Sequence, residues 1–186
     1  MKRRVIIIHG CSSAPEEKLP ETRTYDKHWI PWIEKELLAR NIAVETPLMP
    51  SPWAPDFEEW RKKLNQFLID KDTVLVGHSC GAAFLVRWLG EEKREISKLI
   101  LVAPWKISEG GKKNFYDYPV DESIKSRIDE ITMFTADNEE KAGKESLMIF
   151  QQSLKGRVIE LEGRGHYTFD EMKTEEFPEL LEEIVR

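Results

Sequence analysis

Short apolar runs alternate along the chain with longer segments whose apolar positions repeat at helical spacing. The run at 5–8 (VIII) shows no alternation of apolar and polar residues, which is typical of a strand buried on both faces. The segments that predict strands are 5–8, 43–49, 73–76, 98–103, 131–136 and 157–161. The segments that predict helices are 26–41, 55–69, 81–92, 138–154 and 175–185.

Strands separated by helices form βαβ units, whose right-handed crossovers build a parallel sheet with helices on both faces. Because 186 residues fit one hydrophobic core, we predict a single α/β domain over 1–186. It is expected to have three layers (α/β/α), about six mostly parallel strands and no large cap domain. The irregular stretches 11–25 and 106–120 are long enough to be functional or mobile, and whether 106–120 closes as a lid stays open.

Charge and composition exclude several classes of protein. The chain has 34 acidic and 28 basic residues, a net charge of −6, which argues against nucleic-acid and polybasic membrane binding. The apolar run at 5–8 is too short for a secretion signal, and no segment is long enough to span a membrane. Cys11 and Cys80 show no C-x-x-C spacing, so we expect small buried side chains in a reduced cytoplasmic protein without metal or cofactor.

One motif at the end of a predicted strand carries a candidate nucleophile. In an open parallel sheet, ligands bind at the carboxyl ends of the strands. The sequence Gly77-His78-Ser79-Cys80-Gly81 follows such a strand and matches G-x-S-x-G, the nucleophile elbow. The glycines permit the tight strand-to-helix turn, and the small residues Ala82 and Ala83 open the following helix. Ser79 is therefore the predicted nucleophile.

A serine hydroxyl needs an adjacent base, and four histidines are available. His166 follows the last predicted strand within a Gly-Arg-Gly-His run, in the chain order that the elbow motif requires. His78 lies inside the elbow with its side chain directed away from Ser79, and His28 lies on a predicted helix. His9 follows the first strand, where the loop usually supplies backbone N–H groups. We predict that His166 is the base.

The acid that orients the base is expected between the serine and the histidine in the chain. Asp137 directly follows the strand 131–136 and is the predicted acid. Its competitors are placed less well: Asp129 and Glu130 precede that strand, Glu139 and Glu140 begin a predicted helix, and Asp117 and Asp121 belong to the long loop region. Asp137 could instead be only a helix N-terminal residue.

An oxyanion formed at Ser79 needs preorganised N–H donors, one of them from the residue after the nucleophile. That donor is the backbone N–H of Cys80, and the second is expected from Cys11 or Gly10. Aromatic residues near the strand ends, either lining a substrate pocket or covering the core, are Trp53, Trp105, Phe115 and Tyr116, with Tyr118 nearby.

Taken together, the segments IIIHG, GHSCG, LVAPW, TAD and GRGHY resemble the small serine hydrolases similar to retinoblastoma-binding protein 9. The resemblance covers nearly the whole chain. It implies an α/β-hydrolase fold without a cap, a Ser-His-Asp triad on Ser79, His166 and Asp137, and hydrolysis of small esters or amides. The L-x-C-x-E motif for retinoblastoma binding is absent, so that interaction is not expected here.

The sequence thus predicts a carboxylesterase-like serine hydrolase that acts on a small-molecule ester through an acyl-enzyme. Two alternatives stay open: an amidase or aminopeptidase on the same triad, and a non-catalytic binding protein on the same scaffold. Natural substrate, ester or amide preference, acyl chain length and oligomeric state do not follow from the sequence.

Overall fold

The computed structural model describes residues 3–12, 28–108 and 113–186 of the chain. All strand pairs in the described residues are parallel, and they form one sheet in the order β2-β1-β3-β4-β5-β6. The strands are Arg4–Ile8 (β1), Ala43–Glu45 (β2), Thr73–His78 (β3), Ile96–Val102 (β4), Ile128–Ala136 (β5) and Arg157–Leu161 (β6). The prediction of a six-stranded parallel sheet is confirmed.

Helices occupy the connections between the strands and the part of the chain after β6. Those of the described residues are Trp29–Ala39 (α1), Phe57–Leu64 (α2), Cys80–Glu92 (α3), Lys113–Tyr116 (α4), Lys141–Leu154 (α5), Phe169–Met172 (α6) and Pro178–Val185 (α7), with a 3-10 turn at Glu122–Ser126. The short helix α4 lies inside the stretch 106–120 that was expected to be irregular. Most of the other irregular stretch, 11–25, lies outside the described residues.

The second strand is shorter than predicted. It pairs with β1 over three residues at the edge of the sheet and ends at Glu45, whereas the apolar pattern continues to residue 49. Pro47 lies within this segment and Pro50 directly follows it, and a proline lacks the N–H that a sheet ladder needs. The segment therefore leaves the sheet early.

Both faces of the sheet are covered, because successive residues of each strand enter different cores. On β1, Val5 and Ile7 pack with Trp29 of α1 and with the last helix, α7. Ile6 and Ile8 pack on the opposite face, with residues of α2, α3 and α5 such as Trp60, Phe84 and Phe150. This arrangement confirms the three-layer α/β/α architecture.

The strand order brings two loops together at the carboxyl edge of the sheet. The chain moves from β1 outward to β2 and then returns to the other side of β1 for β3, so the connections diverge between β1 and β3. Ile8 is paired with Gly77, which places the loops after these strands side by side. No helix in the described part of the chain is long and apolar enough to cross a membrane.

Candidate active site

Ser79 occupies a sharp turn between β3 and α3. Its φ of 52° and ψ of −119° are strained values for a residue other than glycine. A Cβ at position 77 would lie 2.7 Å from Cα of Ala82, and one at position 81 would lie 2.5 Å from the carbonyl oxygen of His9. Glycine at 77 and 81 therefore lets the elbow pack against α3 and β1, as the motif predicts.

His166 lies against Ser79, with 2.8 Å between its Nε2 and Oγ of the serine. The His166 N–H donates to Oε2 of Glu171 at 2.8 Å, and its carbonyl oxygen accepts from Nε2–H of His78 at 2.9 Å. The next side chain, Tyr167, is fully buried and donates its hydroxyl to the Thr135 carbonyl oxygen at 2.6 Å. These hydrogen bonds fix the position of the loop that carries the His166 imidazole.

The carboxylate beside the imidazole belongs to Glu139, and the expectation that Asp137 would occupy this place is wrong. His166 Nδ1 lies 3.1 Å from Oε2 and 3.2 Å from Oε1 of Glu139. The Glu139 side chain is almost completely buried, and its Oε1 also accepts the N–H of Glu140 at 3.0 Å. A buried carboxylate held in this way can fix the tautomer of the ring.

Asp137 has a different place, in the turn after β5. Its Oδ1 accepts the N–H of Asn138 at 2.8 Å and the N–H of Gly163 at 2.7 Å. Asn138 in turn accepts the Gly165 N–H through Oδ1 at 2.8 Å. These bonds hold the loop before His166, so Asp137 contributes to the position of the imidazole without contacting it.

Gly143 provides the space that Glu139 needs. A Cβ added at this position would lie 2.7 Å from Cδ and from Oε1 of Glu139. The longer glutamate side chain can therefore fold against the first turn of α5 and reach His166 from three residues beyond the strand end. In the sequence, a glycine inside a predicted helix was the feature that could have indicated this contact, because such a glycine often marks the close approach of another group.

Gly143→Ala is expected to lower kcat by about 10-fold to 100-fold, because the added methyl displaces the Glu139 carboxylate from His166. Alanine is the better helix former, whereas its methyl group crowds the buried Glu139 side chain, so the thermal melt serves to verify that the variant is folded. Gly90→Ala, in α3, is the matched control and should leave kcat unchanged. Steady-state kinetics with thermal melts of both variants test this, and an unchanged kcat in Gly143→Ala would contradict it.

The two cysteines form a disulfide, which corrects the expectation that they are unpaired in a reduced protein. Cys11 follows β1, Cys80 follows Ser79 directly, and their Cα atoms are 5.7 Å apart. Gly10 also approaches the nucleophile, because a Cβ there would lie 3.2 Å from Cβ of Ser79. The loop after β1 is therefore held beside Ser79, and the pairing removes the cysteine argument for a reduced compartment.

A small cavity of about 70 Å³ opens over the site, lined by Gly10, Cys11, His28, His78, Ser79, His166 and Thr168. Trp105 and Tyr116 lie close to it: the Trp105 ring meets His166 edge-on at 5.3 Å, and the Tyr116 hydroxyl is 3.7 Å from Sγ of Cys11. Phe115 instead packs in the core against Trp60. No hydrogen bond or ring contact in the described residues joins Trp53 to the site, and no cluster of His, Cys, Asp or Glu there could hold a metal ion.

The other three histidines, His9, His28 and His78, are almost completely buried. His9 accepts the Met49 N–H through Nε2 at 2.9 Å, and its Nδ1 lies 2.7 Å from the Gly10 carbonyl oxygen. Burial, followed by the charge of His9, lowers the pKa of His28 to about 4. Burial also lowers the pKa of His78 well below its ordinary value. His28 and His78 are therefore neutral at neutral pH.

The low pKa of His28 makes the fold sensitive to acid. Between pH 6.5 and 4 the His28 imidazole is protonated in the unfolded state but not in the native state. The unfolding free energy therefore decreases as the pH falls through this window. From pH 7 to pH 4.5 the wild type should lose about 2–3 kcal/mol more unfolding free energy than His28→Gln. Urea unfolding at both pH values tests this, and equal losses in the two proteins would contradict it.

Comparisons with known proteins bear on the family and the fold of this chain. The family model described as serine hydrolase matches residues 22–183. YdeN of Bacillus subtilis, described as a hydrolase, is 25% identical over 189 residues, which cover 92% of this chain and 89% of YdeN. The crystal structure of the B. subtilis ydeN gene product has a TM-score of 0.84 with this chain at 21% identity, covering 99% of this chain and 97% of that one.

Two further solved structures share the fold. Est1E from Butyrivibrio proteoclasticus with bound ferulic acid has a TM-score of 0.67 at 14% identity and covers 98% of this chain and 86% of its own. A thioesterase domain from the curacin biosynthetic pathway has a TM-score of 0.63 at 15% identity, and the match covers 100% of this chain and 91% of that domain. The fold is therefore the α/β-hydrolase fold, whereas the narrower resemblance to retinoblastoma-binding protein 9 is not established by these matches.

Proposed function

Because this chain belongs to the serine hydrolase family, we propose that it hydrolyses small carboxylic esters through an acyl-enzyme on Ser79. Oγ of Ser79 attacks the ester carbonyl carbon while Nε2 of His166 takes the hydroxyl proton. The alcohol leaves with that proton, and a water molecule, deprotonated by His166, then releases the acid. Glu139 stabilises the imidazolium that forms in each step.

The negative charge on the carbonyl oxygen needs two donors. The N–H of Cys80 is the first of α3, so it has no acceptor within the helix and lies at the positive end of the helix dipole. The second donor is proposed from Cys11 or Gly10, since the disulfide and the Gly10 contact hold that loop beside Ser79. Donors fixed before the reaction stabilise an oxyanion without reorganisation.

The observation that carries the proposal is the continuous hydrogen-bonded chain from Ser79 through His166 to Glu139 on a strained elbow. A serine hydroxyl, an imidazole and a buried carboxylate bonded in this order match the arrangement of a nucleophile, its base and the group that orients the base. The thioesterase neighbour supports acyl transfer as the reaction class. The proposed reaction needs neither metal nor cofactor. The small cavity over Ser79 fits either a small acyl group or a longer acyl group that extends out of the cavity.

Rapid mixing of the protein with p-nitrophenyl acetate tests the proposal. We expect a burst of p-nitrophenol equal to the enzyme concentration, followed by slower turnover, because acylation by an activated ester outpaces deacylation. Aminoacyl p-nitroanilides serve as the amide comparison and should react far more slowly. Faster anilide cleavage would favour an amidase or aminopeptidase, and the absence of both burst and turnover would favour a binding protein.

A further inference from the structure

A second cavity, of about 470 Å³, has no role in the reaction proposed at Ser79. Its volume falls within the range of about 300–1,000 Å³ that small-molecule pockets occupy. Its walls include the side chains of Tyr116, Tyr118 and Val120, together with two charged side chains, Lys106 and Asp117. A mostly apolar pocket with few charged groups is typical of a site that holds an apolar chain and orients it by its polar end.

This larger cavity adjoins the catalytic site at two points. The Trp105 N–H donates to the carbonyl oxygen of Ser79 at 3.2 Å, and Lys106 is the next residue. Tyr116 lines the larger cavity, while its hydroxyl reaches to 3.7 Å from Sγ of Cys11, which lines the smaller one. Tyr116 thus lies between the two cavities, and a substrate whose carbonyl lies at Ser79 has to pass beside this side chain to reach Lys106.

Lys106 is fixed at both ends. Its backbone N–H donates to Oγ of Ser146, a fully buried side chain, at 2.9 Å. Its Nζ donates to the Tyr116 carbonyl oxygen and lies 3.9 Å from the centre of the Tyr118 ring. The ammonium group is thereby held against the cavity wall, and of its three N–H groups only one has a hydrogen-bond acceptor in the described residues.

The charge of Lys106 is not neutralised by an ion pair in the described residues. Partial burial lowers its pKa, and the charge of Asp117 opposes that shift from beyond ion-pair distance, while Arg87 adds to it. Arg87 itself pairs with Glu91 at 2.9 Å. A partly desolvated ammonium group with unused donors gains most from an incoming anion, because a charge-assisted hydrogen bond forms where water is already partly excluded.

We infer that this cavity binds the acyl chain of an ester whose far end carries a carboxylate, and that Lys106 selects it. The inference rests on the proposed ester hydrolysis at Ser79, because the chain must be attached to a carbonyl held there. Lys106 acts on substrate specificity and takes no part in bond cleavage.

The test compares two p-nitrophenyl esters of equal carbon number, the monoester of adipic acid and the hexanoate, in wild-type protein. We expect kcat/KM to be about 10-fold to 100-fold higher for the adipate monoester, mainly through a lower KM. A wild-type protein that hydrolyses hexanoate with a burst but shows no preference for adipate overturns this inference and leaves the proposed function intact. If neither ester is cleaved, the proposed function itself fails.

Variants test whether the Lys106 side chain causes the preference for the adipate monoester. Lys106→Met should reduce the adipate-to-hexanoate ratio to about one while hexanoate turnover persists, and Lys106→Arg should retain part of the preference. Lys62→Met, which removes an exposed charge on α2, is the matched control and should keep the wild-type ratio. A preference that survives in folded Lys106→Met, or that disappears equally in Lys62→Met, would overturn the role of Lys106.

Discussion

Glu139→Gln is expected to lower kcat about 10³-fold to 10⁴-fold with little change in KM. A glutamine can present its amide N–H to Nδ1 of His166, which favours the tautomer that carries its proton on Nε2. In that tautomer the ring cannot accept the Ser79 proton. Steady-state kinetics on p-nitrophenyl acetate measure the loss, and circular dichroism verifies the fold.

Asp137→Asn is the matched control for Glu139→Gln, because it makes the same chemical change two residues away. An asparagine retains the oxygen that accepts the N–H groups of Asn138 and Gly163. We expect a loss of less than about 10-fold, from weaker hydrogen bonds in the loop before His166. A large loss in Asp137→Asn together with a small one in Glu139→Gln would exchange the two roles and contradict the site described above.

Reduction of the Cys11–Cys80 disulfide is expected to lower the unfolding free energy by about 2–4 kcal/mol and the Tm by about 10 °C. The bond joins residues 69 apart in the sequence, so it removes much chain entropy from the unfolded state. Melting curves with and without a phosphine reductant measure the shift, and thiol titration reports whether the bond has been opened.

The variant Cys11→Ser/Cys80→Ala is the control for this experiment. It should melt at the lower temperature whether or not the reductant is present. Two free thiols in untreated, folded protein would show that the bond is absent and contradict the prediction. An unchanged Tm after complete reduction would show that the bond contributes nothing to stability.

Much of the fold follows from local sequence patterns. The continuous apolar run of β1 predicted a strand buried on both faces, and Val5 to Ile8 do enter two different cores. Ser79 and His166 were predicted from their position after strand ends, and parallel pairing does bring those ends to one edge of the sheet. Such features need only local patterning and strand direction, both of which a single sequence contains.

The partner of His166 and the cysteine pair depend on side-chain packing between distant segments. Asp137 occupies the strand end but bonds to backbone N–H groups, whereas Glu139 reaches the imidazole because Gly143 leaves room for it. Likewise, two cysteines separated by 69 residues meet because the strand order places the loops after β1 and β3 side by side. Neither outcome is set by local periodicity.

Reaction with a fluorophosphonate probe, followed by peptide mass spectrometry, tests most directly whether Ser79 is the activated nucleophile. The account predicts one adduct per chain, located on Ser79, and no labelling of a folded Ser79→Ala protein. Labelling that persists in Ser79→Ala, or an adduct found on another residue of the wild type, would contradict it.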